Sequence, residues 1–290
     1  MAGKKNILVT GGRGQLGLSL QKIAPEYPEY DFLFTDMPEG DITDKTAIEP
    51  LVEKDRIDTI VNCAAYTAVD RAESDEDTAL KINATGPSLL AAIAREKGIK
   101  LIHISTDYVF PGTGNTPLKE TDLPAPASAY GRTKLEGEKA IEASRCAAAV
   151  IRTGWLYSEF GNNFVKTMLR AGRERGKLSV VYDQTGTPTY ATDLARAIMR
   201  LVQNGVKGFG IYHYANDGVI SWYDFAEAIF SIYGMDVTVN AIQTKDFPCP
   251  AARPAYSVLS KEKIKAAGAV VPYWRGSLER CIVALKQLEK

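Results

Sequence analysis

The stretch KNILVTGGRGQLG, Lys5–Gly17, decides the fold. Lys5–Thr10 is a short apolar run closed by glycines, and a run of that length bounded by turn residues reads as a buried strand. Leu16–Ile23 then reads as a helix stopped near Pro25. Gly11, Gly14 and Gly17 set a G-x-x-G-x-x-G pattern at the strand-to-helix junction. Glycines there permit a tight turn and close approach of backbone to a pyrophosphate. The start of the helix adds free N–H groups and the positive end of its dipole.

Outward from this point the strand signal repeats at Asp31–Thr35, Asp58–Cys63, Lys100–Ser105 and Ala148–Arg152, and an Ala/Leu-rich helix is predicted over Asp75–Lys97, ending at Gly98. Strands alternating with helices through short connections predict an α/β fold. The expectation is a Rossmann-type doubly wound parallel sheet with a smaller, mainly C-terminal substrate-binding lobe. After Arg152 the pattern loosens. Helices are predicted over Asn163–Glu174, over Thr192–Val202 with Thr192 as cap, from the capping-box-like S-W-Y-D at Ser221 through Tyr233, and over Ser277–Leu288. Strands are predicted at Leu178–Tyr182 and Gly210–Tyr214, and Pro248, Pro250 and Pro254 mark a loop. Residues 1–152 with about 178–215 are expected to form the dinucleotide-binding domain, and about 153–177 with 216–290 the lobe.

Composition excludes several classes of function. The 290 residues carry 35 basic and 35 acidic side chains, a balance unlike that of a dedicated nucleic-acid binder. A 45% hydrophobic share with 24% charge is ordinary for a soluble globular chain. No apolar run approaches the roughly 18–20 residues of a membrane helix. The basic start precedes an apolar stretch of only Ile7–Val9, which is no signal peptide. Cys63, Cys146, Cys249 and Cys281 are scattered with no C-x-x-C pair and read as reduced thiols of a cytoplasmic protein. The only histidines, His103 and His213, cannot form H-E-x-x-H, and no G-x-S-x-G is present. His103, between Ile102 and Ile104, reads as a satisfied core residue, and Asn62 and Asn83 read as side chains that bond backbone.

Asp36 follows the second strand, nineteen residues beyond Gly17, where a carboxylate accepts hydrogen bonds from an adenosine ribose. Its charge would repel a 2′-phosphate, whereas Arg13 in the loop could pair with one, so NADH and NADPH both remain open. Asp41-Ile42 lies where an adenine edge could be held, and also fits a plain turn. Tyr130-Gly131-Arg132-Thr133-Lys134 is a Y-x-x-x-K pattern at the start of a helical run, with Tyr130 and Lys134 one turn apart on one face. An ammonium there is expected to lower the phenol from its usual value of about 10 and to ready it as a proton donor to a carbonyl. Thr106 ends the fourth strand, where open α/β sheets place their ligands, and its hydroxyl can address the same carbonyl oxygen.

In this order the motifs resemble those of the extended short-chain dehydrogenase/reductases. The resemblance covers nearly the whole chain in one of their families, the dTDP-4-dehydrorhamnose reductases. Its segments are NCAAYTAVDRAE from Asn62, STDYVFPGTG from Ser105, YGRTKLEGE from Tyr130, RTGWLY from Arg152, GNNFVKTML from Gly161, DQTGTPT from Asp183 and SWYDFA from Ser221, with AARPAYSVL near the end. It implies NAD(P)H-dependent reduction of the C4 ketone of dTDP-4-dehydro-L-rhamnose to dTDP-L-rhamnose. By the resemblance, Gly11, Gly14, Gln15, Leu16 and Gly17 hold the pyrophosphate region. Asp36, Asp41 and Ile42 hold the adenosine end, and Cys63, Ala64, Ala65 and Tyr66 line the cofactor after the third strand. Thr106, Tyr130 and Lys134 are the implied catalytic trio, the last two also touching the cofactor and Thr106 the substrate. Asp107 and Trp155 are implied to touch the sugar, and Arg253 to lie near the substrate.

The partner implied is a small nucleotide-sugar substrate, with no nucleic acid and no membrane. Some members carry glutamates that bind Mg²⁺ across a dimer interface. Here Ser19 stands in place of one, and DQTGTPTYATDL supplies no other. No such metal is expected, and homodimer and monomer both stay open. Two other functions fit the same scaffold. One is a nucleotide-sugar epimerase or dehydratase, although Tyr108 after Asp107 departs from the Asp-Glu of the 4,6-dehydratases. The other is a non-catalytic regulatory subunit, which has no need of the complete trio.

Overall fold

Lys5–Thr10 is exposed at its first residue and wholly buried over its last four, the pattern of a strand covered on both faces. In the computed structural model, which describes residues 3–289, it lies inside a central sheet. Met1, Ala2 and Lys290, assigned above to the two parts of the chain, lie outside the described residues.

The first half contributes β1 (Lys5–Thr10), α1 (Gln15–Ile23), β2 (Tyr30–Phe34), α2 (Lys45–Lys54), β3 (Ile57–Asn62), α3 (Val69–Ala72), α4 (Glu76–Leu80), α5 (Gly86–Lys97), β4 (Lys100–Thr106), α6 (Ala129–Ser144) and β5 (Ala147–Thr153). The second half contributes β6 (Leu156–Tyr157), α7 (Phe164–Arg175), β7 (Lys177–Val181), β8 (Thr185–Gly186), β9 (Thr189–Tyr190), α8 (Ala191–Asn204), β10 (Phe209–His213), β11 (Ile220–Ser221), α9 (Trp222–Tyr233), β12 (Thr238–Ile242), α10 (Glu262–Ala266) and α11 (Trp274–Leu288). Among the described residues the main sheet has six strands in the order β10-β5-β4-β3-β1-β2, and every pairing is parallel. The order reverses direction between β1 and β3, which opens a crevice at their carboxyl ends.

Helices cover both faces of the sheet. Val9, Leu20, Ile102, Ile151, Leu194 and Ile198 fill the face beneath α1 and α8. Leu8, Ile48, Ile60, Leu90, Leu101, Ile141 and Val150 fill the face beneath α2, α5 and α6. A third apolar cluster, with Tyr157, Leu169, Phe225, Leu278 and Ile282, holds α7, α9 and α11 together as a lobe beside the sheet. Among the described residues no helix is long and apolar enough to cross a membrane.

Three details differ from the sequence expectations. The helix over Asp75–Lys97 is realised as α4, a π turn at Lys81–Thr85, and α5. Pro87 offers no N–H to the carbonyl of Asn83 four residues back, and the wider turn accommodates the loss. The strand near Leu178–Tyr182 forms as β7 but pairs in parallel with β12, apart from the central sheet. Its alternating burial explains this, since only one of its faces is apolar, whereas a central strand needs two. The chain returns to the central sheet region only with α8 and β10. Thr192 does not cap α8, whose N-cap is Tyr190. The Tyr190 N–H is satisfied by Asn216 Oδ1 at 2.8 Å. Ser221, by contrast, forms the full capping box with Asp224.

Candidate active site

β1 delivers the glycine loop to the crevice. Gly11 has φ +67°, and a Cβ there would sit 2.6 Å from the Ala64 nitrogen, so only glycine lets this loop lie against the segment after β3. Gly14 is the N-cap of α1 and supplies no side-chain cap, which leaves the first-turn N–H groups of Gln15, Leu16 and Gly17 to an outside acceptor. A cavity of about 250 Å³ opens here, lined by Gly11, Gly14, Asp36, Asp41, Ile42, Cys63, Ala64 and Ala65 together with Met37, Gly40, Thr43 and Ile82. It has the lining an adenosine and pyrophosphate need: a glycine cradle at a helix N-terminus, a carboxylate and an apolar floor.

The remaining residues of this group sit at its edges. The Gln15 side chain is turned away, its Oε1 accepting from Ser158 Oγ at 3.0 Å and Asn163 Nδ2 at 3.0 Å. Leu16 is in the core. Asp36 accepts from the N–H groups of Arg13 and Met37, each at 2.9 Å, and so braces the glycine loop. Asp41 closes its own turn by accepting from the Thr43 N–H at 2.9 Å. Tyr66 lies outside the cavity lining; its hydroxyl donates to Asp75 at 3.2 Å, and its ring and that of Tyr130 pack against the Ala72, Ala79 and Ala129 cluster. Asn83 Oδ1 accepts from the Tyr66 N–H at 2.9 Å and its Nδ2 donates to Thr133 Oγ1 at 3.2 Å, tying the segment after β3 to α6.

The second group surrounds the carboxyl end of β4. Ser128 caps α6 by accepting from the Gly131 N–H, which fixes Tyr130 in the first turn. The Tyr130 hydroxyl lies near Thr106, and its ring meets Tyr108 edge-on at 5.6 Å. Burial, with a smaller contribution from the Asp107 charge, pushes Tyr130 up to about 12 against the lowering by Thr106. This corrects the expectation that Lys134 lowers the phenol. Lys134 Nζ donates instead to the Ile104 carbonyl at 2.6 Å and lies 3.3 Å from His103 Nε2. Burial takes Lys134 down to about 8, opposed by Glu138 and Cys63. Both groups are therefore shifted toward their uncharged forms.

Asp107 is buried beside Thr106, whose Oγ1 lies 3.1 Å from Oδ1. Its Oδ2 has no partner, and burial raises the carboxyl to about 6. Gly154 makes room for it, since a Cβ there would come within 2.5 Å of Asp107 Oδ2. Trp155 follows with φ +52°, a left-handed backbone that strains an aromatic residue. Its indole stacks on Trp222 at 3.6 Å. Arg253 reaches the same mouth and pairs with Asp70 through two bonds, at 3.0 and 2.8 Å. Below the site Arg152 and Glu138, both almost fully buried, pair at 2.6 Å, and Ser105 Oγ donates to the same carboxylate.

Sequence reading missed Gly154, Asp70 and the stacking of Trp222 on Trp155. A small residue between Thr153 and Trp155 is the one signal that pointed to Gly154. Among the described residues no group of three His, Cys, Asp or Glu side chains could hold a metal ion.

Comparison with known proteins adds a second line of argument. Residues 5–287 match the sequence profile of a family described as RmlD substrate binding domain. A dTDP-4-dehydrorhamnose reductase from Mycobacterium tuberculosis is 41% identical, covering 98% of this chain and 95% of that protein. A crystal structure of a dTDP-4-dehydrorhamnose reductase from Clostridium acetobutylicum is 42% identical, covers 97% of this chain and 99% of its own, and superposes with a TM-score of 0.92. One from Bacillus anthracis, in complex with NADP, is 41% identical with the same coverage and TM-score.

Proposed function

Because the chain belongs to the dTDP-4-dehydrorhamnose reductase family, we propose that it reduces the C4 ketone of dTDP-4-dehydro-L-rhamnose with NADH or NADPH, and that Tyr130 is the general acid. The observation that carries this reading is the first turn of α6, which brings the phenol of Tyr130, kept protonated by burial, next to Thr106 at the carboxyl end of β4.

The residues fit a bound dinucleotide: the open first turn of α1 for the pyrophosphate, Asp36 and the Asp41–Ile42 turn for adenosine, and Cys63 to Ala65 toward the nicotinamide. When bound, the reduced nicotinamide supplies a hydride to the ketone carbon. The Tyr130 hydroxyl gives its proton to the ketone oxygen as charge develops there, and the Thr106 hydroxyl shares that charge. A phenol that stays protonated at neutral pH is the state this direction of reaction needs. Lys134, one turn from Tyr130, would bond the nicotinamide ribose when the cofactor is bound. Asp107 Oδ2 is a free acceptor for a sugar hydroxyl, the Trp155 indole is an apolar wall for the ring, and Arg253 lies within reach of the substrate's phosphates. The central sheet with α8 and β10 holds the dinucleotide, and the lobe of α7, α9 and α11 holds the nucleotide sugar, in the cytoplasm.

An epimerase retains its nicotinamide, whereas a reductase consumes it. Stoichiometric oxidation of the cofactor dependent on the 4-keto sugar therefore tests the proposal, and tight cofactor binding without oxidation refutes it.

A further inference from the structure

Asn62 and His103 lie beneath Lys134, and their hydrogen bonds can be assigned without ambiguity. The Ala64 N–H, which can only donate, lies 3.1 Å from Asn62 Oδ1, and Thr10 Oγ1 donates to the same oxygen at 2.8 Å. The amide is thereby fixed, with its NH₂ toward His103 Nδ1 at 2.9 Å. His103 Nδ1 must then accept, so the ring is the neutral tautomer with its proton on Nε2. Complete burial favours the neutral ring as well. The Nε2–H is directed at Lys134 Nζ, 3.3 Å away. An ammonium at that distance sets donor against donor, whereas an amine presents a lone pair.

We propose that Asn62 and His103 are positioning residues that weaken the hold of Lys134 on its proton in the cofactor-free protein. The ionisable groups that face Lys134 are few. Glu138, one turn further along α6, and Cys63, after β3, favour the charged form. His103, from β4, opposes it, and the Ile104 carbonyl accepts from either form. The inference rests on the reading of this site as the reaction centre. Its test uses ligand-free protein, however, and reads ionisation whether or not Tyr130 is the acid.

The experiment is ¹⁵N NMR of ligand-free protein labelled at lysine and histidine, from pH 6 to 10, with circular dichroism as the check of folding. The wild type should show His103 as the Nε2–H tautomer and Lys134 titrating near pH 8. His103→Gln, whose amide oxygen can turn to accept from an ammonium, should raise the Lys134 midpoint by at least about one pH unit. Should that variant fail to fold, Asn62→Asp keeps the acceptor for the Ala64 N–H. It switches His103 to the Nδ1–H tautomer, leaves Nε2 free to accept, and should move the midpoint the same way. An Nδ1–H tautomer in the wild type, or an unmoved Lys134 midpoint in either folded variant, overturns the proposal.

Discussion

Replacing Arg152 by methionine should unfold this protein more readily than its distance from the surface charges would suggest. Arg152 and Glu138 are 2% and 3% exposed, and Arg152 gives the carboxylate three contacts at 2.6, 3.0 and 3.2 Å. In Arg152→Met the carboxylate keeps only Ser105, so a charge stays buried without its partner, at a cost of about 3–5 kcal/mol. Unfolding entropy of about 2.1 cal/mol/K per residue turns this into a fall in Tm of roughly 5–8 °C for a chain of 290 residues. Glu138→Leu alone strands the guanidinium and should cost a similar amount. The double replacement removes both charges and should recover to within about 1 kcal/mol of the wild type, because an apolar pair of like volume avoids the desolvation. Urea denaturation of the four proteins, followed by circular dichroism, measures the cycle. Single variants each costing under about 1 kcal/mol, or a double variant equal to the sum of the singles, would refute the reasoning.

Three further outcomes are expected. Tyr130→Phe should reduce turnover by about 10²–10⁴-fold while the dinucleotide Kd, from fluorescence titration, changes by less than about twofold; near-normal turnover would remove Tyr130 as the acid. The Asp107 carboxyl is raised from 3.8 to about 6 by burial, so its contribution to stability is fully present below pH 3.8 and is lost as pH rises through 6. Asp107→Asn should accordingly stabilise the fold by about 1–3 kcal/mol at pH 7 and by nothing near pH 3.5, and equal effects at both pH values would contradict this. Asp36→Ala removes the acceptor that braces the Arg13 and Met37 N–H groups and the charge that repels a 2′-phosphate; it should raise the NADPH-to-NADH ratio of kcat/KM, and an unchanged ratio would show that Asp36 does not read the ribose.

The parts of the molecule legible in the sequence were those set by local pattern. Lys5–Thr10 and Lys100–Ser105 are continuous apolar runs, so β1 and β4 fall where they were expected. Ser221 and Asp224 carry a complete capping box in four residues. Position in the sheet was harder. Leu178–Tyr182 reads as a strand, but its one-sided burial, which sends it to β12, depends on α9 packing against it. In the site, spacing placed Tyr130 and Lys134 on one helical face but not the direction of their protons. Whether an ammonium faces a phenol depends on what lies beneath it, here the Ile104 carbonyl and His103. His103 was legible as a buried residue, while its effect on Lys134 requires the Asn62 amide to be fixed from Ala64, a contact no local pattern encodes.

The most direct test of the proposed reaction is nicotinamide oxidation by the purified protein, with NADH and NADPH in parallel and dTDP-4-dehydro-L-rhamnose generated in situ by its upstream epimerase. The reading predicts one cofactor oxidised per sugar reduced in the wild type and a loss of about 10²-fold or more in Tyr130→Phe. No sugar-dependent oxidation by a folded wild-type protein that binds the dinucleotide would contradict it.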